Sequence, residues 1–460
     1  MKRNLLLIAL FLISITLNAQ YWSQQNTNFS DTAIGVDHVS IVDSNIVWVN
    51  GFNGSGYGPR IKTFSKTLNG GNLWTAGDYN GIGATELVTV LCGVSSSKAF
   101  TCSYDTVSNN ASFWKTTDGG ANWTKVTGIL NNGSTTFADG VKFWDSGKGF
   151  CFGDPVGGVF DIYTTVDSGD TWTAVPGANI PPALTNEASW NGVNCSAIAP
   201  DGSGFFITSA GRVIKTINYG LNWTATTSPF TSLDGGKIYA SSANYIIVSS
   251  FIKTDTVWQW KYSNDGGVTW KAFRTSGNFY QYQMCYVPGS SNMFVSSSPF
   301  SSKITGVSYS INGGLNWTDF TDPFLQVNGK NVQCLGVGFY NMNIGWVGNY
   351  DTAVAINSIL KYYNPNGITI GVQSYQVNGN DVNIYPNPST GIVNFDVNGP
   401  NKENINIRIY DVAGRMIFQK VLNVDGITNT SFDFSEFPRG LYIVNTSSTE
   451  ENYTKKLIIN

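Results

Sequence analysis

The chain has 460 residues, of which 12% are charged, 14% are aromatic and 50 are glycine, with a formal net charge of −3. That charge leaves no basic field to hold nucleic acid or an anionic membrane, and a hydrophobic content of 42% excludes a disordered chain. Few charges with many aromatics and glycines suit short strands and tight turns, and exclude long surface helices, which need Lys and Glu on their wet faces.

Residues 1–19 read as a secretory signal: Lys2 and Arg3 form the positive end, Leu5 to Leu17 the apolar run, and Leu17-Asn18-Ala19 the cleavage site, so the mature chain begins at Gln20. The run is too short to span a hydrocarbon core of ~30 Å comfortably, and no later segment is apolar enough to cross a membrane. Six cysteines follow, at 92, 102, 151, 195, 285 and 334. In an exported chain they invite disulfides, and Cys92 and Cys102 can face each other across a hairpin. All six also lie in apolar strand-like stretches, where a cysteine is a small buried hydrophobe. With no CxxC spacing and one histidine, His38, no metal site is expected of them.

An octapeptide then recurs, clearest as Thr116-Thr117-Asp118-Gly119-Gly120-Ala121-Asn122-Trp123. Its copies close on Trp74, Trp123, Trp172, Trp223, Trp270 and Trp317, at spacings of 49, 49, 51, 47 and 47. A period of ~40–50 residues is that of a four-stranded propeller blade. The third position is Asn69, Asp118, Asp167, Asn218, Asp265 or Asn312, whose side chain can bond nearby amides and hold a turn. The fifth is always glycine, which permits positive φ, and the closing Trp begins a strand with its ring over the turn. These copies resemble the Asp-box, or BNR repeat, of sialidases and related propellers. The resemblance places each box between the third and fourth strands of a blade, away from the ligand face, so it implies a fold and not an activity.

Two apolar strands and then a third precede each box, as in Val141 to Phe152 and Phe160 to Thr164. A seventh unit, Val332 to Tyr363, has no box tryptophan, while Tyr21-Trp22-Ser23 looks like the segment after a box turn. Pairing the N-terminal strand with the last blade closes the ring and hides both edges. The expected architecture is all-β: seven four-stranded blades over residues 20–368.

The residues before the innermost strands are Asp37, Glu86, Asp139, Asn191, Asp234, Gln281 and Asn331, all carboxylates or carboxamides. At equivalent positions they would ring one mouth of the central channel, where their oxygens suit sugar hydroxyls or Ca²⁺. The alternative is that each only caps a strand or turns the chain. The same face is expected to carry Arg60 and Arg212, able to grip an anion, with Asp154 and Asp351. Sialidase chemistry is not expected. That family needs an arginine triad, a Tyr–Glu pair and a Phe/Tyr-Arg-Ile-Pro motif, whereas Gly58-Pro59-Arg60-Ile61 has the wrong order and the propeller has three arginines, one of them Arg274 beyond a box tryptophan. A glycosidase with paired Asp residues stays open. The stretch Phe152-Gly153-Asp154-Pro155, with Pro181-Pro182-Ala183-Leu184 and Glu187-Ala188, resembles exported Asp-box proteins similar to photosystem assembly-factor propellers, which implies a binding scaffold.

After a linker at 369–380, residues 381–460 alternate as strands of a small Ig-like sandwich. Tyr385-Pro386-Asn387-Pro388 opens the unit, followed by the turn Tyr410-Asp411 to Gly414-Arg415, the strand entry Pro438-Arg439-Gly440-Leu441-Tyr442 and the tail Lys455-Lys456. In this order they resemble the type A C-terminal sorting domain of the type IX secretion system. That implies transit through the periplasm, engagement of the secretion machinery, and release or surface attachment. The reading is thus a secreted or cell-surface propeller that binds glycan or protein. The alternatives are a glycoside hydrolase with Asp catalysts and a structural surface component.

Overall fold

The computed structural model describes residues 21–31, 34–53, 61–130, 137–230, 236–252, 257–299, 305–320, 325–327, 330–349, 358–364, 382–412, 414–447 and 452–460. The expected signal segment and linker lie outside these residues, as do Arg60, Asp234 and Asp351. The chain divides into two compact units, 1–368 and 369–460.

In the first unit, apolar runs such as Ile246-Ile247-Val248 are buried on both faces of their strands, because each sheet lies between two others. Among the described residues, seven four-stranded antiparallel sheets result. Their innermost strands are Ile34–Ile41, Glu86–Gly93, Ala138–Phe143, Ser196–Ile198, Gly236–Ala240, Gln283–Tyr286 and Cys334–Asn341. Seven hydrophobic cores alternate with the sheets, one per neighbouring pair. Trp48, Phe64, Leu91 and Trp114 join the first sheet to the second, and Val36, Val47, Trp346 and Ile359 join the first to the seventh. The sheets therefore close into a ring, a β-propeller.

Closure falls to the N-terminal strand Trp22–Asn26, which pairs with Ser358–Tyr363 as the outermost strand of the seventh sheet. Trp22 is 1% exposed and packs edge-on against Phe320 and Phe339. Gln25 adds a clasp absent from the sequence reading. Its Oε1 accepts the indole N–H of Trp74 (3.1 Å) in the first sheet and of Trp346 (3.2 Å) in the seventh.

In the second unit, inward and outward residues alternate with a period of two, as in Ile405, Ile407 and Ile409 against Asn404, Asn406 and Arg408. The strands form one five-stranded hydrogen-bonded sheet. Ile392–Asp411 pairs with Val382–Tyr385 along its first half and with Gly440–Ser447 along its second, while Met416–Asp433 pairs with both halves. A register shift between Gly399 and Glu403 separates the halves. Both contribute to one core with Tyr442, Val444, Leu457 and Ile459.

Candidate functional site

The six octapeptides share one hydrogen-bond pattern. In the third sheet, Thr165 Oγ1 donates to Asp167 Oδ1 (2.7 Å) and accepts from Gly169 N (2.9 Å), while Thr171 N donates to Asp167 Oδ1 (2.9 Å). The fourth sheet repeats it with Asn218 in place of aspartate: Thr216 Oγ1 to Asn218 Oδ1 at 2.9 Å and Asn222 N to Asn218 Oδ1 at 3.0 Å. A carboxamide oxygen accepts the same bonds, which is why both residue types occur. The bonds from Asn122 and Thr171, with those from the opening threonines, hold the Asp118 and Asp167 carboxyls down to about 2. The fifth-position glycine has positive φ in all six copies, and so does the fourth, including Ser168 (64°) and Tyr219 (59°). These groups are consumed in holding hairpins.

Two cavities lie where the innermost strands converge. The mouth cavity, of about 250 Å³, is lined by Asp37, Phe52, Asn191, Lys237, Trp258, Tyr282 and Gln283 among others. Asp37 is placed there by a bulge in Ile34–Ile41: Val36 pairs with Gly51 and His38 with Asn50, so Asp37 is the extra residue. Its Oδ1 accepts from Asn50 Nδ2 (3.0 Å), and Tyr79 donates to Asn50 Oδ1 (2.8 Å). Burial pushes the Asp37 carboxyl up to about 7 against the lowering effect of Asn50. Gln283 Nε2 donates to the Asp37 carbonyl (2.8 Å), linking the sixth sheet to the first. Lys237 lies between two rings, its Nζ 4.3 Å from the Trp258 centroid and 4.5 Å from that of Tyr282, and donates to the Tyr282 carbonyl. Burial lowers its pKa to about 8.

Of the expected ring, Asp37 and Asn191 line this mouth, and Glu86, Asp139 and Gln281 do not. Glu86 begins its strand three residues before the bulge between Val88 and Val90, and accepts from Ser103 Oγ and Trp114 Nε1 (3.1 Å) of its own sheet. Asp139 does occupy a bulge, between Ala138 and Gly140, but it is 2% exposed and accepts from Ser189 Oγ (2.5 Å). Asp154 accepts from Ser189 N (2.8 Å). Burial, then the charge of Asp154, raises Asp139 well above the carboxylate range, and burial raises Asp154. This pair tethers the connection between the third and fourth sheets. Gln281 is exposed before its strand, and its place on the wall is taken by Gln283. Asn331 lies in the short strand Lys330–Asn331, outside the inner strand that begins at Cys334.

Arg212 is a further correction, because an internal carboxylate already occupies it. Its Nε donates to Glu187 Oε1 (2.9 Å), its Nη2 donates to Glu187 Oε2, and the Pro182 carbonyl accepts a third bond (2.9 Å). The Glu187 side chain is fully buried, so the guanidinium neutralises it and is not offered to a ligand. Lys237 and Gln283 escape the sequence pattern because strand starts are not equivalent from sheet to sheet: bulges shift the count. The one available signal for Lys237 was a cation set between Gly236 and the apolar run Ile238–Ala240. All six cysteines are unpaired thiols, Cys92 opposite Phe100 and Cys102 opposite Val90, and five are buried, with Cys285 part-buried.

Chemically, the mouth offers aromatic faces, one ammonium, carboxamides and one carboxyl. Glycoside hydrolysis by the usual route needs two carboxyls ~5–9 Å apart, and on the described wall Asp37 has no such partner. Ca²⁺ takes six to eight oxygens. One carboxyl held near pH 7 beside an ammonium does not fit that ion.

Residues 383–460 match the family described as secretion system C-terminal sorting domain. The second unit is thus a type IX secretion sorting domain and marks the chain for export. Among solved structures, the chain is similar to "YCF48 bound to D1 peptide" (16% identity, 76% of this chain and 98% of that one, TM-score 0.46). It is similar also to "YCF48 from Cyanidioschyzon merolae" (15%, 76% and 100%, 0.45) and to "Hadza microbial sialidase Hz136" (11%, 73% and 66%, 0.41). These likenesses concern the propeller fold alone. No curated protein sequence matches the chain. Among the described residues, no helix is long and apolar enough to cross a membrane.

Proposed function

We propose that the propeller is a binding module, carried out of the cell by its sorting domain, that takes a glycan or a protein segment at the axial mouth. The observation that carries this reading is the aromatic frame of Trp258, Tyr282 and Phe52 around Lys237, beside the carboxamides of Asn191 and Gln283 and the single carboxyl of Asp37. Rings stack on sugar faces or peptide side chains, and carboxamides both donate and accept, so this set orients a polar ligand without activating a bond in it. Export is supported by the domain at 383–460. Whether the mature protein is released or stays on the surface is read by cell fractionation, and we expect deletion of 383–460 to retain it in the periplasm. A glycan array and a peptide array, run on the wild type and on Trp258→Ala, test the mouth. Hits that lose affinity in the variant support the reading. Hits that are unchanged, or turnover of chromogenic glycosides, would replace it.

A further inference from the structure

The second axial cavity, of about 420 Å³, is lined by His38, Lys142, Trp144, Ile198, Met284 and Phe339 among others. It shares Val193, Asn194 and Gln283 with the mouth cavity, while Lys142 belongs to its wall alone. That volume is within the range of small-molecule sites, ~300–1,000 Å³.

Lys142 stands apart from the other half-buried lysines. Burial lowers the pKa of five: Lys66, Lys142, Lys215, Lys237 and Lys361. Four have a carbonyl acceptor. Lys66 donates to Ser96 O (2.9 Å), Lys215 to Gly266 O (3.1 Å), Lys361 to Gly70 O (2.7 Å), and Lys237 to Tyr282 O. Lys142 has no hydrogen bond and no ion pair among the described residues. The groups that feel its charge are Cys92, Cys195 and His38, which belong to three other parts of the ring. Lys142 is half-buried, and an ammonium partly withdrawn from water without a counter-ion favours an anionic partner.

The wall supplies no compensation. It contains no Asp or Glu. His38 Nε2 lies 2.8 Å from the Leu91 carbonyl, so that nitrogen carries a proton and donates it there. Desolvation and then the charge of Lys142 lower its pKa to about 3. The site therefore presents one positive charge. A monoanion balances it, whereas a phosphate dianion leaves one negative charge unpaired. The wall also carries Asn194, Ser196, Tyr239 and Gln283, while Trp144, Ile198, Met284 and Phe339 supply apolar surface.

We propose that this cavity seats a monocarboxylate with an apolar body, its carboxylate paired with the Lys142 ammonium and its carbon skeleton against Trp144, Ile198, Met284 and Phe339. The proposal does not rest on the mouth reading, since Trp258 and Lys237 line the other cavity.

His38 is the chain's one histidine, so a preparation without a histidine tag gives a single imidazole signal beside the proposed carboxylate. The full exported chain is titrated with 4-phenylbutyrate, with the uncharged 4-phenylbutan-1-ol and with inorganic phosphate. Binding is read by calorimetry and by the His38 resonance. The expected result is that phenylbutyrate binds and moves the His38 signal, the alcohol binds about tenfold or more weaker, and phosphate leaves the signal in place. Lys142→Met should lose phenylbutyrate by at least the same factor and Lys142→Arg should keep part of it. Lys142→Met should also unfold at or above the wild-type temperature, because an unpaired charge has been removed. Equal binding of alcohol and carboxylate overturns the proposal, as does undiminished binding by Lys142→Met, an unmoved His38 signal or no binding at millimolar probe. A lower unfolding temperature for Lys142→Met shows an internal partner and overturns it as well.

Discussion

The two ends of each sheet in the propeller obey different rules. At the hairpin end, six octapeptides repeat one set of bonds with near-constant lengths, and a carboxamide replaces a carboxylate without change of geometry. At the axial end no two sheets contribute alike. The first gives Asp37 from a bulge, the fifth Lys237 between two rings, the sixth Gln283, and the connection into the fourth Asn191. Repetition marks the parts that hold each sheet together. Departures from it mark where the seven sheets together make something that none makes alone.

The sharpest way to break this contrast is at the seventh sheet, which has no octapeptide and depends on the N-terminal strand. Trp22→Ala should cost ~3–4 kcal/mol, since it empties a fully buried aromatic site where the ring closes. A urea midpoint shifted by less than a third of that would show that closure lies elsewhere. Gln25→Leu tests the clasp. It leaves the Trp74 and Trp346 indole N–H groups without their shared acceptor and should cost about 2 kcal/mol. Thermal unfolding of the variant beside the wild type measures this, and an unchanged midpoint would dismiss the clasp.

Asp37 sharpens the axial side. Its folded-state pKa, about 7, lies above the ordinary 3.8, so the protonated carboxyl is favoured in the fold. That stability is fully present below 3.8 and is lost as pH rises through about 7. Asp37→Asn keeps an oxygen for Asn50 and removes the titration. Relative to wild type it should gain up to roughly 4 kcal/mol between pH 3 and pH 8. His38 acts in the opposite sense: its stability is present above 6.5 and is lost as pH falls toward 3. Both proteins carry it, so it cancels in the difference, and a difference that does not vary with pH would remove Asp37 from the buried mouth. The smallest effect belongs to a single octapeptide. Thr216→Ala deletes a donor to Asn218 and an acceptor for Gly220 and should cost about 1 kcal/mol. Hydrogen exchange at Gly220 and Asn222 should show the loss confined to the fourth sheet, and protection lost around the whole ring would contradict local stapling.

What the amino-acid sequence determined is whatever acts within one repeat or one short motif. The glycine two residues after Asp118 or Asn218, the hydroxyl two residues before, and the closing Trp lie within one octapeptide, so their bonds are readable from spacing alone. The same holds for the alternation from Val382 to Ile459 and for Trp22 as the strand that ends the count. The axial site was legible only in part, as Asp37 and Asn191. Its other members come from different sheets and are brought together by bulges and closure, which leave no periodic trace. Arg212 illustrates the limit: its charge is plain in the sequence, but only the fold places Glu187 against it and removes it from any ligand. Lys142 is the converse, an ordinary strand residue by pattern that the closing of seven sheets leaves in a cavity with no counter-charge.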